Sequence, residues 1–458
     1  MIKHDAIIIG TGQSGPALAE RLTQAGMNTA IIERKLFGGT CVNVGCIPTK
    51  ALVASARAAY IARRGLEFGV VIENPVIVDM KRVKARKDEI AGASNKGVTA
   101  WLEGLDNLTI YRGHAYFEDN RVISVNGEQL EADKIFINTG GRATVPDMPG
   151  LDQVDYLTNS SMMDMDYLPE HLIIVGGSYI GLEFAQMYRR FGSEVTVVEM
   201  GDRLIARDDK DLSDSVKEIV ENEGVNVRLN AECITVAKQG DQIAVSLSCD
   251  EQPKQVLGSH LLLAVGRRPN TDDLGLENTG IESDERGYIK VDDHLETNVS
   301  GIWAIGDVNG RGAFTHTSYN DFEIVAANLL DDDLRKLSDR FLCYGLFIDP
   351  PLGRVGMTEQ QARESGRRVL IGKRMMNRVG RARERSETQG FIKVLVDADS
   401  EEILGAAILG INGDEAIHCL IDIMYAGMPY TVIQRAVHIH PTVAELIPTT
   451  LGDLKPLQ

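Results

Sequence analysis

The chain has 458 residues, of which 43% are hydrophobic and 25% are charged, a composition typical of a globular protein with several domains. Its formal net charge of −18 argues against sequence-independent binding of nucleic acid, because the phosphate backbone repels an acidic surface. Six cysteines in a chain of this length do not indicate a disulfide framework, and no apolar run reaches the length of a membrane span.

The first predicted element is a strand, Ala6-Ile7-Ile8-Ile9, that begins a few residues after Met1. Such a start leaves no room for a signal peptide, so we expect a cytoplasmic protein without membrane contact. The strand runs into Gly10-Thr11-Gly12-Gln13-Ser14-Gly15 at a helix start, and a second strand, residues 29 to 32, ends at Glu33. This order of strand, glycine loop, helix, strand and acid indicates a dinucleotide-binding unit.

A second copy of this unit follows at an offset of 166 residues, from Gly10 to Gly176. Its loop reads Gly176-Gly177-Ser178-Tyr179-Ile180-Gly181, and its second strand ends at Glu199, at the same offset from Glu33. One such glycine motif is weak evidence, because glycines also serve ordinary turns, whereas two complete units with identical spacing are strong. Ser178 replaces the middle glycine but is small enough to leave room for a dinucleotide.

The acid that ends each unit accepts hydrogen bonds from ribose hydroxyls, and the glycine loop brings backbone amides close to a pyrophosphate. In the second unit, Glu199 predicts a preference for NADH over NADPH, because a carboxylate there repels a 2′-phosphate. Arg203 and Arg207 follow closely. They would weaken that preference unless they are ordinary surface arginines.

Residues 38 to 50 read Gly-Gly-Thr-Cys-Val-Asn-Val-Gly-Cys-Ile-Pro-Thr-Lys and lead into an alanine-rich helical pattern. Cys41 and Cys46 at a helix start can close a small disulfide ring, and the helix dipole favours a thiolate there. Because the first unit leads directly into this pair, its ligand suits a flavin, and the second unit then holds the nicotinamide that reduces it. Two inert thiols, or half of a zinc site that no second Cys or His pair completes, are the alternatives.

Together these motifs resemble the flavin-dependent pyridine nucleotide–disulfide oxidoreductases, the family of glutathione reductase, dihydrolipoamide dehydrogenase and mercuric reductase. The similarity extends from residue 7 to residue 445 and includes the cysteine segment. Further matching segments are Thr139-Gly140, Val265-Gly266-Arg267-Arg268-Pro269-Asn270, Trp303-Ala304-Ile305-Gly306-Asp307 and His440-Pro441-Thr442-Val443-Ala444-Glu445.

The resemblance implies an α/β fold with two Rossmann-like dinucleotide-binding domains, for FAD and NAD(P), and a C-terminal α+β dimerisation domain. The expected FAD domain takes residues 1–145 and 270–335, the NAD(P) domain 146–269, and the dimerisation domain 336–458. Asp349-Pro350-Pro351 and the alternating apolar residues from Phe391 to Val396 fit an antiparallel sheet there. In the family this domain forms a homodimer in which each active site takes its histidine from the other subunit.

The resemblance also implies catalytic roles. Cys46 would face the flavin as a charge-transfer thiolate, and Cys41 would be the outward thiol that attacks the substrate. His440 would take and return a proton, oriented by Glu445 through a ring N–H group. Glu445 also follows Thr442 at the spacing of a capping box, which requires no chemistry, and the two roles are compatible.

Lys50 and Glu183 match a family ion pair near the reacting part of the flavin, and Tyr179 matches the family's gate over the nicotinamide pocket. A solvated lysine and a tyrosine that only packs are the alternatives. No metal site is expected. The implied cofactor contacts are Gly10, Gly12, Ser14, Gly15, Glu33, Gly39, Thr40, Lys50, Ala115, Thr139, Gly140, Gly176, Tyr179, Ile180, Gly181, Glu199, Gly266, Arg267, Gly306 and Asp307.

Two further features are interpreted without the resemblance. The four scattered cysteines are expected to be buried free thiols: Cys233, Cys249, Cys343 and Cys419. The basic stretch from Arg378 to Arg385 is expected to be a solvated strand face, with contact to an anionic substrate as the alternative.

The oxidising substrate stays open. The C-terminal sequence lacks the cysteine pair that delivers the metal in mercuric reductases, and residues 314 to 321 do not resemble dihydrolipoamide dehydrogenase or glutathione reductase. We therefore expect an NAD(P)H-dependent reductase of a small-molecule disulfide or a related oxidised sulfur or halogen species. The alternatives are a mercuric-reductase-like metal-ion reductase, a dihydrolipoamide dehydrogenase-like subunit of a multienzyme complex, and a redox sensor with little turnover.

Overall fold

The computed structural model describes residues 1–248 and 254–457. Two parallel sheets, one large antiparallel sheet and three smaller sheets make up the strand structure of these residues. Apolar strands form the centres of both parallel sheets because both faces are covered, one by helices and the other by a smaller sheet. This arrangement confirms the predicted fold class, with two Rossmann-like units followed by a C-terminal α+β unit.

The first parallel sheet contains the first glycine unit. Its strands are parallel to their neighbours, and the chain leaves this sheet after Ile137 and returns to it at Ile302. The second parallel sheet is therefore an insertion in the first unit. In spatial order the strands of the first sheet are Ile302–Ala304, Lys134–Ile137, Ala6–Ile9, Thr29–Glu33 and Leu108–Arg112.

The second parallel sheet contains the second glycine unit, and a small antiparallel sheet packs on one face of it through Val236, Ile243 and Val245. The parallel strands are, in order, Asn226–Arg228, Glu194–Val198, His171–Val175 and His260–Leu263. The small sheet consists of Thr235–Gln239, Gln242–Ser246 and Gln255–Gly258.

The C-terminal unit is built on a six-stranded sheet whose neighbouring strands are all antiparallel. Its two central strands are buried along their whole length, since helices cover the sheet. The order is Cys343–Leu346, Leu352–Gly356, Ile403–Leu409, Phe391–Asp397, Val369–Met375 and Lys455–Pro456. The predicted strand from Phe391 is confirmed.

Two minor sheets complete the strand structure: Ile2–Lys3, Glu128–Glu131, Val122–Val125 and Tyr116–Asp119 in one, and Arg267–Pro269 with Gly141–Ala143 in the other. The α-helices are Ser14–Gln24, Gly39–Asn43, Cys46–Arg63, Met80–Glu103, Tyr179–Phe191, Lys210–Asn222, Thr315–Leu330, Glu359–Glu364, Gly380–Glu384, Gly413–Ala416, His418–Tyr425, Thr431–Arg435 and Leu446–Gly452. Short 3-10 helices are Gly65–Phe68, Leu151–Gln153, Ser161–Asp164, Leu276–Asn278, Asp307–Asn309, Leu337–Asp339 and Met376–Arg378. Within the described ranges, every helix is too short or too polar to cross a bilayer.

A buried ion-pair network at Asp349 joins the three units. Arg57, on the helix that begins at Cys46, contacts Asp349 Oδ1 at 2.5 Å. Arg190, on the helix of the second glycine unit, contacts Asp349 Oδ2 at 2.6 Å and Glu223 at 2.7 Å. The side chains of Asp349 and Arg190 are less than a tenth exposed, so breaking this network would leave an uncompensated buried charge.

The strand predicted for the basic stretch is wrong. Its residues form the 3-10 helix Met376–Arg378 and the α-helix Gly380–Glu384. Met376, Val379 and Ala382 are fully buried, and their spacing of three places them on one helical face. The arginines between them dominated the sequence pattern and concealed this apolar period.

The prediction of buried free thiols is wrong for Cys233 and holds in part for Cys343 and Cys419, which pack against the C-terminal core. Cys233 is disulfide-bonded. Cys343 and Cys419 are free but only half-buried, on an edge strand and on a helix surface. Cys249 lies outside the described residues.

Candidate active site at Cys41 and Cys46

The two predicted redox cysteines lie on two consecutive helices. Cys41 is inside the short helix Gly39–Asn43, and Cys46 is the first residue of the helix Cys46–Arg63. Gly45 makes the break between them. A Cβ atom on Gly45 would lie 2.7 Å from the carbonyl oxygen of Thr40, so only glycine permits this close turn. The turn brings the second cysteine back beside the first and places it at a helix N-terminus.

A hydroxyl group from a distant segment lies between the sulfurs. Thr315 Oγ1 is 3.1 Å from Cys41 Sγ and 3.3 Å from Cys46 Sγ, within hydrogen-bonding distance of both. Thr315 is the first residue of the helix Thr315–Leu330, and both cysteines are free thiols. Thr315 could not be identified from the sequence, because nothing local indicates that this helix start meets the cysteine segment.

The surroundings of the two sulfurs separate their pKa values. A hydrogen bond from the Cys41 thiol lowers the pKa of Cys46 to about 6, although burial opposes this effect. The Thr315 hydroxyl and the positive charge of Lys50 lower the Cys46 pKa further, and the negative charge of Glu183 opposes them. The same hydrogen bond, together with burial, raises the pKa of Cys41 far above that of an ordinary thiol. These shifts favour the thiolate form of Cys46 and the neutral thiol form of Cys41.

The predicted ion pair is present next to this thiolate. Lys50 follows Cys46 by one helical turn, and its Nζ donates to Glu183 Oε2 at 2.8 Å. Glu183 is nearly buried, and its other oxygen accepts from the backbone N–H of Phe347 at 3.1 Å. The Lys50 ammonium also lies 4.4 Å from the centroid of the Phe347 ring. The interpretation of Lys50 as a solvated lysine is therefore wrong.

The two glycine units have the same hydrogen-bond geometry around their acids. Glu33 accepts from the backbone N–H of Thr11 at 3.0 Å, and Glu199 accepts from that of Gly177 at 2.6 Å. The other carboxylate oxygen of each accepts at 2.8 Å from the backbone N–H two residues further on. Each acid is thus fixed at the mouth of its glycine loop, as ribose recognition requires.

The glycine loops fit a dinucleotide. A Cβ atom on Gly10 would lie 2.3 Å from the carbonyl oxygen of Asn138, and one on Gly176 would lie 2.4 Å from that of Ala264. Any larger residue at either position would collide with these carbonyl oxygens, so both loops require glycine there. The Thr139 hydroxyl at the first loop is buried and has no hydrogen-bond partner among the residues the structure describes. A buried hydroxyl without a protein partner next to such a loop fits a polar ligand group.

Further predicted contacts lie around the first loop. A Cβ atom on Gly39 would lie 2.9 Å from Gly12 Cα, so the cysteine segment packs directly on the glycine loop. The Ser14 hydroxyl is hydrogen-bonded to Ser318, which leaves only the backbone amide of Ser14 for a ligand. Gly15 and Gly181 each lie in close contact with the first glycine of their loop. The remaining predicted contacts differ in burial: Ala115 is buried, and Thr40, Gly140 and Ile180 are half-buried.

The later predicted segments meet across the junction of the two units. Arg267 Nε lies 3.6 Å from Asp307 Oδ2, and its Nη2 donates to the carbonyl oxygen of Gly141 at 2.5 Å. Burial raises the pKa of Asp307. Gly266 and Gly306 both have positive φ angles, which allow the two loops to turn back at this point.

The histidine–glutamate pair is present at the C-terminal end, as expected from the sequence. His440 Nδ1 lies 2.9 Å from Glu445 Oε2, while the Glu445 backbone N–H donates to Thr442 Oγ1 at 3.2 Å. The Thr442 bond lies in the turn before the helix Leu446–Gly452, whose N-cap is Glu445, so the capping box does not form and the glutamate side chain turns to the histidine. The His440 side chain is 79% exposed. Among the described residues, His440 makes no hydrogen bond or ion pair with the cysteines of its own chain.

Tyr179 lies one helical turn before Glu183, and its hydroxyl donates to Asp208 Oδ2 at 2.8 Å. Asp208 also accepts from the Tyr344 hydroxyl at 2.8 Å. The sequence analysis missed Asp208 and Tyr344, because they come from different parts of the chain and belong to no recognised motif.

Two family models match the chain. The model described as pyridine nucleotide-disulphide oxidoreductase matches residues 4–321. The model described as the dimerisation domain of the same family matches residues 343–451.

Similar proteins cover nearly the full length of the chain. The probable pyridine nucleotide-disulfide oxidoreductase RclA of Escherichia coli K12 is 36% identical over 462 residues, 99% of each chain. A mercuric reductase of Streptomyces lividans is 34% identical over 97% of this chain and 94% of its own length. A dihydrolipoyl dehydrogenase of Bacillus subtilis is 32% identical over 97% of this chain and 95% of its own.

Solved structures of the E. coli relative superpose closely on this fold. The HOCl-induced flavoprotein disulfide reductase RclA aligns with a TM-score of 0.90 and 35% identity, covering 98% of this chain and 100% of its own. Its Cu(II) complex also aligns with a TM-score of 0.90 and covers 99% of each chain.

The pKa separation can be measured by alkylation of the reduced protein with iodoacetamide between pH 4 and 9, followed by mass spectrometry of each cysteine. We expect the rate at Cys46 to rise with a midpoint near pH 6, because only the thiolate reacts, and to be lost below it. Thr315→Val should raise this midpoint by roughly one pH unit, since it removes a hydrogen bond to an anion.

Thr99→Val is the matched control, because the Thr99 hydroxyl bonds a backbone carbonyl of its own helix and is not a partner of either sulfur. This control should leave the midpoint unchanged. Faster alkylation of Cys41 than of Cys46 at pH 7 would reverse the assignment of thiol and thiolate.

Proposed function

The chain belongs to the pyridine nucleotide–disulfide oxidoreductase family, and we propose that it reduces a small-molecule disulfide or a related oxidised sulfur or halogen species at Cys41 and Cys46. It is an FAD-dependent flavoprotein that uses NAD(P)H. The observation that carries the proposal is the pair of adjacent sulfurs, both within hydrogen-bonding distance of Thr315 Oγ1, with the Lys50–Glu183 ion pair beside them.

The first glycine unit would hold FAD, which when bound would supply the cysteine pair with reducing equivalents from NAD(P)H. Deprotonated Cys41 then attacks one sulfur of the substrate disulfide, forms a mixed disulfide and releases the first substrate thiolate. The Cys46 thiolate attacks the Cys41 sulfur, re-forms the Cys41–Cys46 disulfide and releases the second thiolate. The low pKa of Cys46 keeps it ready for this second step without a separate base.

Cys41 requires a base, because its raised pKa keeps it protonated at neutral pH. We propose that His440 of the partner subunit supplies this base, takes the Cys41 proton and returns it to the leaving thiolate. Two observations support the proposal: His440 is oriented by Glu445, and its ring is turned outward in a match to the family's dimerisation domain. A homodimer with two shared active sites follows from it.

The remaining predicted roles complete the proposed site. Lys50 and Glu183 would lie beside the reacting part of the flavin, Tyr179 would cover the nicotinamide pocket, and the two glycine units would hold FAD and NAD(P)H. The domain boundaries proposed from the sequence are 1–145 with 270–335, 146–269 and 336–458. We also propose that the protein is cytoplasmic.

A second candidate function is the reduction of a metal ion. Mercuric reductases are among the relatives, and one solved structure of the E. coli relative is its Cu(II) complex. A thiolate and a neighbouring thiol are soft ligands that suit thiophilic metal ions such as Hg²⁺ and Cu⁺. In this reaction the ion would be the substrate and would require no partner histidine for proton transfer.

The two functions can be separated with a panel of substrates under anaerobic conditions, with disulfides, Cu(II) and Hg(II) offered separately and NADH oxidation recorded. Cys41→Ser should abolish disulfide turnover but keep the long-wavelength absorbance of a Cys46 thiolate beside the flavin, and Cys46→Ser should lose both. Disulfide turnover by Cys41→Ser would overturn the assignment. Turnover with metal ions alone would establish the second function.

The shared active site can be tested by mixing Cys41→Ser and His440→Ala subunits. Each parent alone should be slow, by roughly 10²–10⁴-fold for His440→Ala, the usual effect of a positioned proton carrier. A mixed dimer contains one fully wild-type site, so random exchange should restore about a quarter of the wild-type activity. No recovery, in a sample where exchange is demonstrated, would show that each subunit uses its own histidine.

We propose that NADH is preferred, because both oxygens of Glu199 are held at the second glycine loop where a 2′-phosphate would have to lie. Glu199→Ala should lower the ratio of kcat/KM for NADH over NADPH by about tenfold. Glu194→Ala, at the exposed start of the same strand, is the control and should leave the ratio unchanged. A wild-type preference for NADPH would contradict the proposal.

A further inference from the structure

A buried carboxylate outside the redox motifs contacts the residue proposed as the nicotinamide gate. Asp208 accepts from the hydroxyls of Tyr179 and Tyr344, each at 2.8 Å, and Arg354 Nε lies 3.5 Å from its Oδ1. We call these four residues the Asp208 cluster. The Asp208 side chain is fully buried and that of Arg354 nearly so, so the charge depends on these partners. Burial and the negative charge of Asp208 raise the pKa of both tyrosines, which therefore stay protonated donors.

The cluster is assembled from three parts of the fold. Tyr179 begins the helix Tyr179–Phe191, Asp208 lies in the loop after the strand that ends next to Glu199, and Tyr344 and Arg354 are direct neighbours across two strands of the C-terminal sheet. The Asp208 position is therefore fixed independently of Tyr179.

The loop that carries Asp208 is anchored a second time by the residues that follow it. The buried ammonium of Lys393, on a central strand of the C-terminal sheet, contacts Asp209 Oδ2 and Asp211 Oδ1, each at 2.7 Å, and Glu359 Oε1 at 2.8 Å. The three carboxylates thus surround an ammonium group. Removing Tyr179 from the Asp208 cluster would leave this anchor intact.

Ring contacts connect Tyr179 with the cysteine pair. The rings of Tyr179 and Tyr344 make an edge contact, with their centroids 5.5 Å apart and an interplanar angle of 71°. The Tyr344 ring stacks on that of Phe314, with a centroid distance of 5.6 Å and an interplanar angle of 10°. Phe314 directly precedes Thr315, whose hydroxyl lies between the two sulfurs. On its own helix, Tyr179 also stands one turn before Glu183 and hence on the side of the Lys50–Glu183 pair.

We propose that Asp208 is a positioning residue that holds the ring of Tyr179 closed over the nicotinamide pocket. The inference rests on the gate role given to Tyr179 in the proposed function. A nicotinamide that enters must displace this ring from a hydrogen bond to a buried carboxylate, so the bond opposes coenzyme binding. The adenosine and pyrophosphate parts of the coenzyme bind at the second glycine loop and do not require the ring to move.

The test compares two ligands by isothermal titration calorimetry of the oxidised, FAD-containing enzyme: NAD⁺, and ADP-ribose, which lacks the nicotinamide. Tyr179→Phe and Asp208→Asn should each lower the Kd for NAD⁺ by roughly tenfold and leave the Kd for ADP-ribose unchanged. The double variant should show the same factor as each single variant, because both remove one shared interaction. Tyr116→Phe, which deletes a tyrosine–carboxylate bond to Glu277, is the control and should change neither Kd.

The outcomes separate this inference from the gate role itself. If Tyr179→Ala leaves the ratio of the two Kd values unchanged, the gate role fails and the inference fails with it. If Tyr179→Ala tightens NAD⁺ binding but Tyr179→Phe does not, the gate stands and the positioning role of Asp208 is overturned. An equal change of both Kd values in Asp208→Asn, or additive effects in the double variant, would also overturn it. Because Tyr179→Phe leaves the carboxylate and Arg354 paired, the test remains decisive if Asp208→Asn does not fold.

Discussion

The chemistry of this protein depends on the stabilisation of one negative charge, the thiolate of Cys46. Four groups stabilise this thiolate: the Cys41 thiol, the Thr315 hydroxyl, the Lys50 ammonium and the N-terminus of the helix that Cys46 begins. Burial alone would favour the neutral thiol, so the anion exists only because these donors converge on it. The same hydrogen bond that stabilises Cys46 raises the pKa of Cys41, and one arrangement therefore produces two unlike sulfurs.

For these donors to meet at Cys46, several separate parts of the chain must be held at fixed positions relative to one another. Cys46 and Lys50 lie on one helix, Glu183 on the helix of the second glycine unit, and Thr315 at the start of a helix that follows the return to the first sheet. Apolar residues of the cysteine helix, the second unit and the C-terminal sheet form one common core. The ion pairs of Asp349 with Arg57 and Arg190 cross the same junction. Rigid packing there keeps the hydrogen-bond distances at the sulfurs fixed.

The C-terminal unit contributes on two opposite sides. Toward the rest of its own chain it presents Tyr344, Arg354 and Lys393, which fix the loop after the second glycine unit. Away from it, the exposed His440 is held by Glu445 and faces solvent in the single chain. In the proposed mechanism, the first set bears on coenzyme binding and the second on proton transfer. A dimerisation unit placed last in the chain therefore completes both halves of the proposed reaction.

The sequence determined the features that depend on local patterns. The two glycine units, their acids and the cysteine pair follow from residue type at short spacing, whereas the C-terminal histidine–glutamate pair and the ion pair of Lys50 with Glu183 followed from the family resemblance. Met376, Val379 and Ala382 recur at every third residue, which is a helical spacing, but the arginines between them dominated the pattern and a strand was predicted instead.

Only the tertiary structure decided the rest. The bridge from Thr315 to the two sulfurs and the burial of Asp208 against Tyr179 and Tyr344 each join segments far apart in the chain. No local periodicity encodes such contacts. They depend on how helices and strands pack, and packing sets the distances on which hydrogen bonds and pKa values depend.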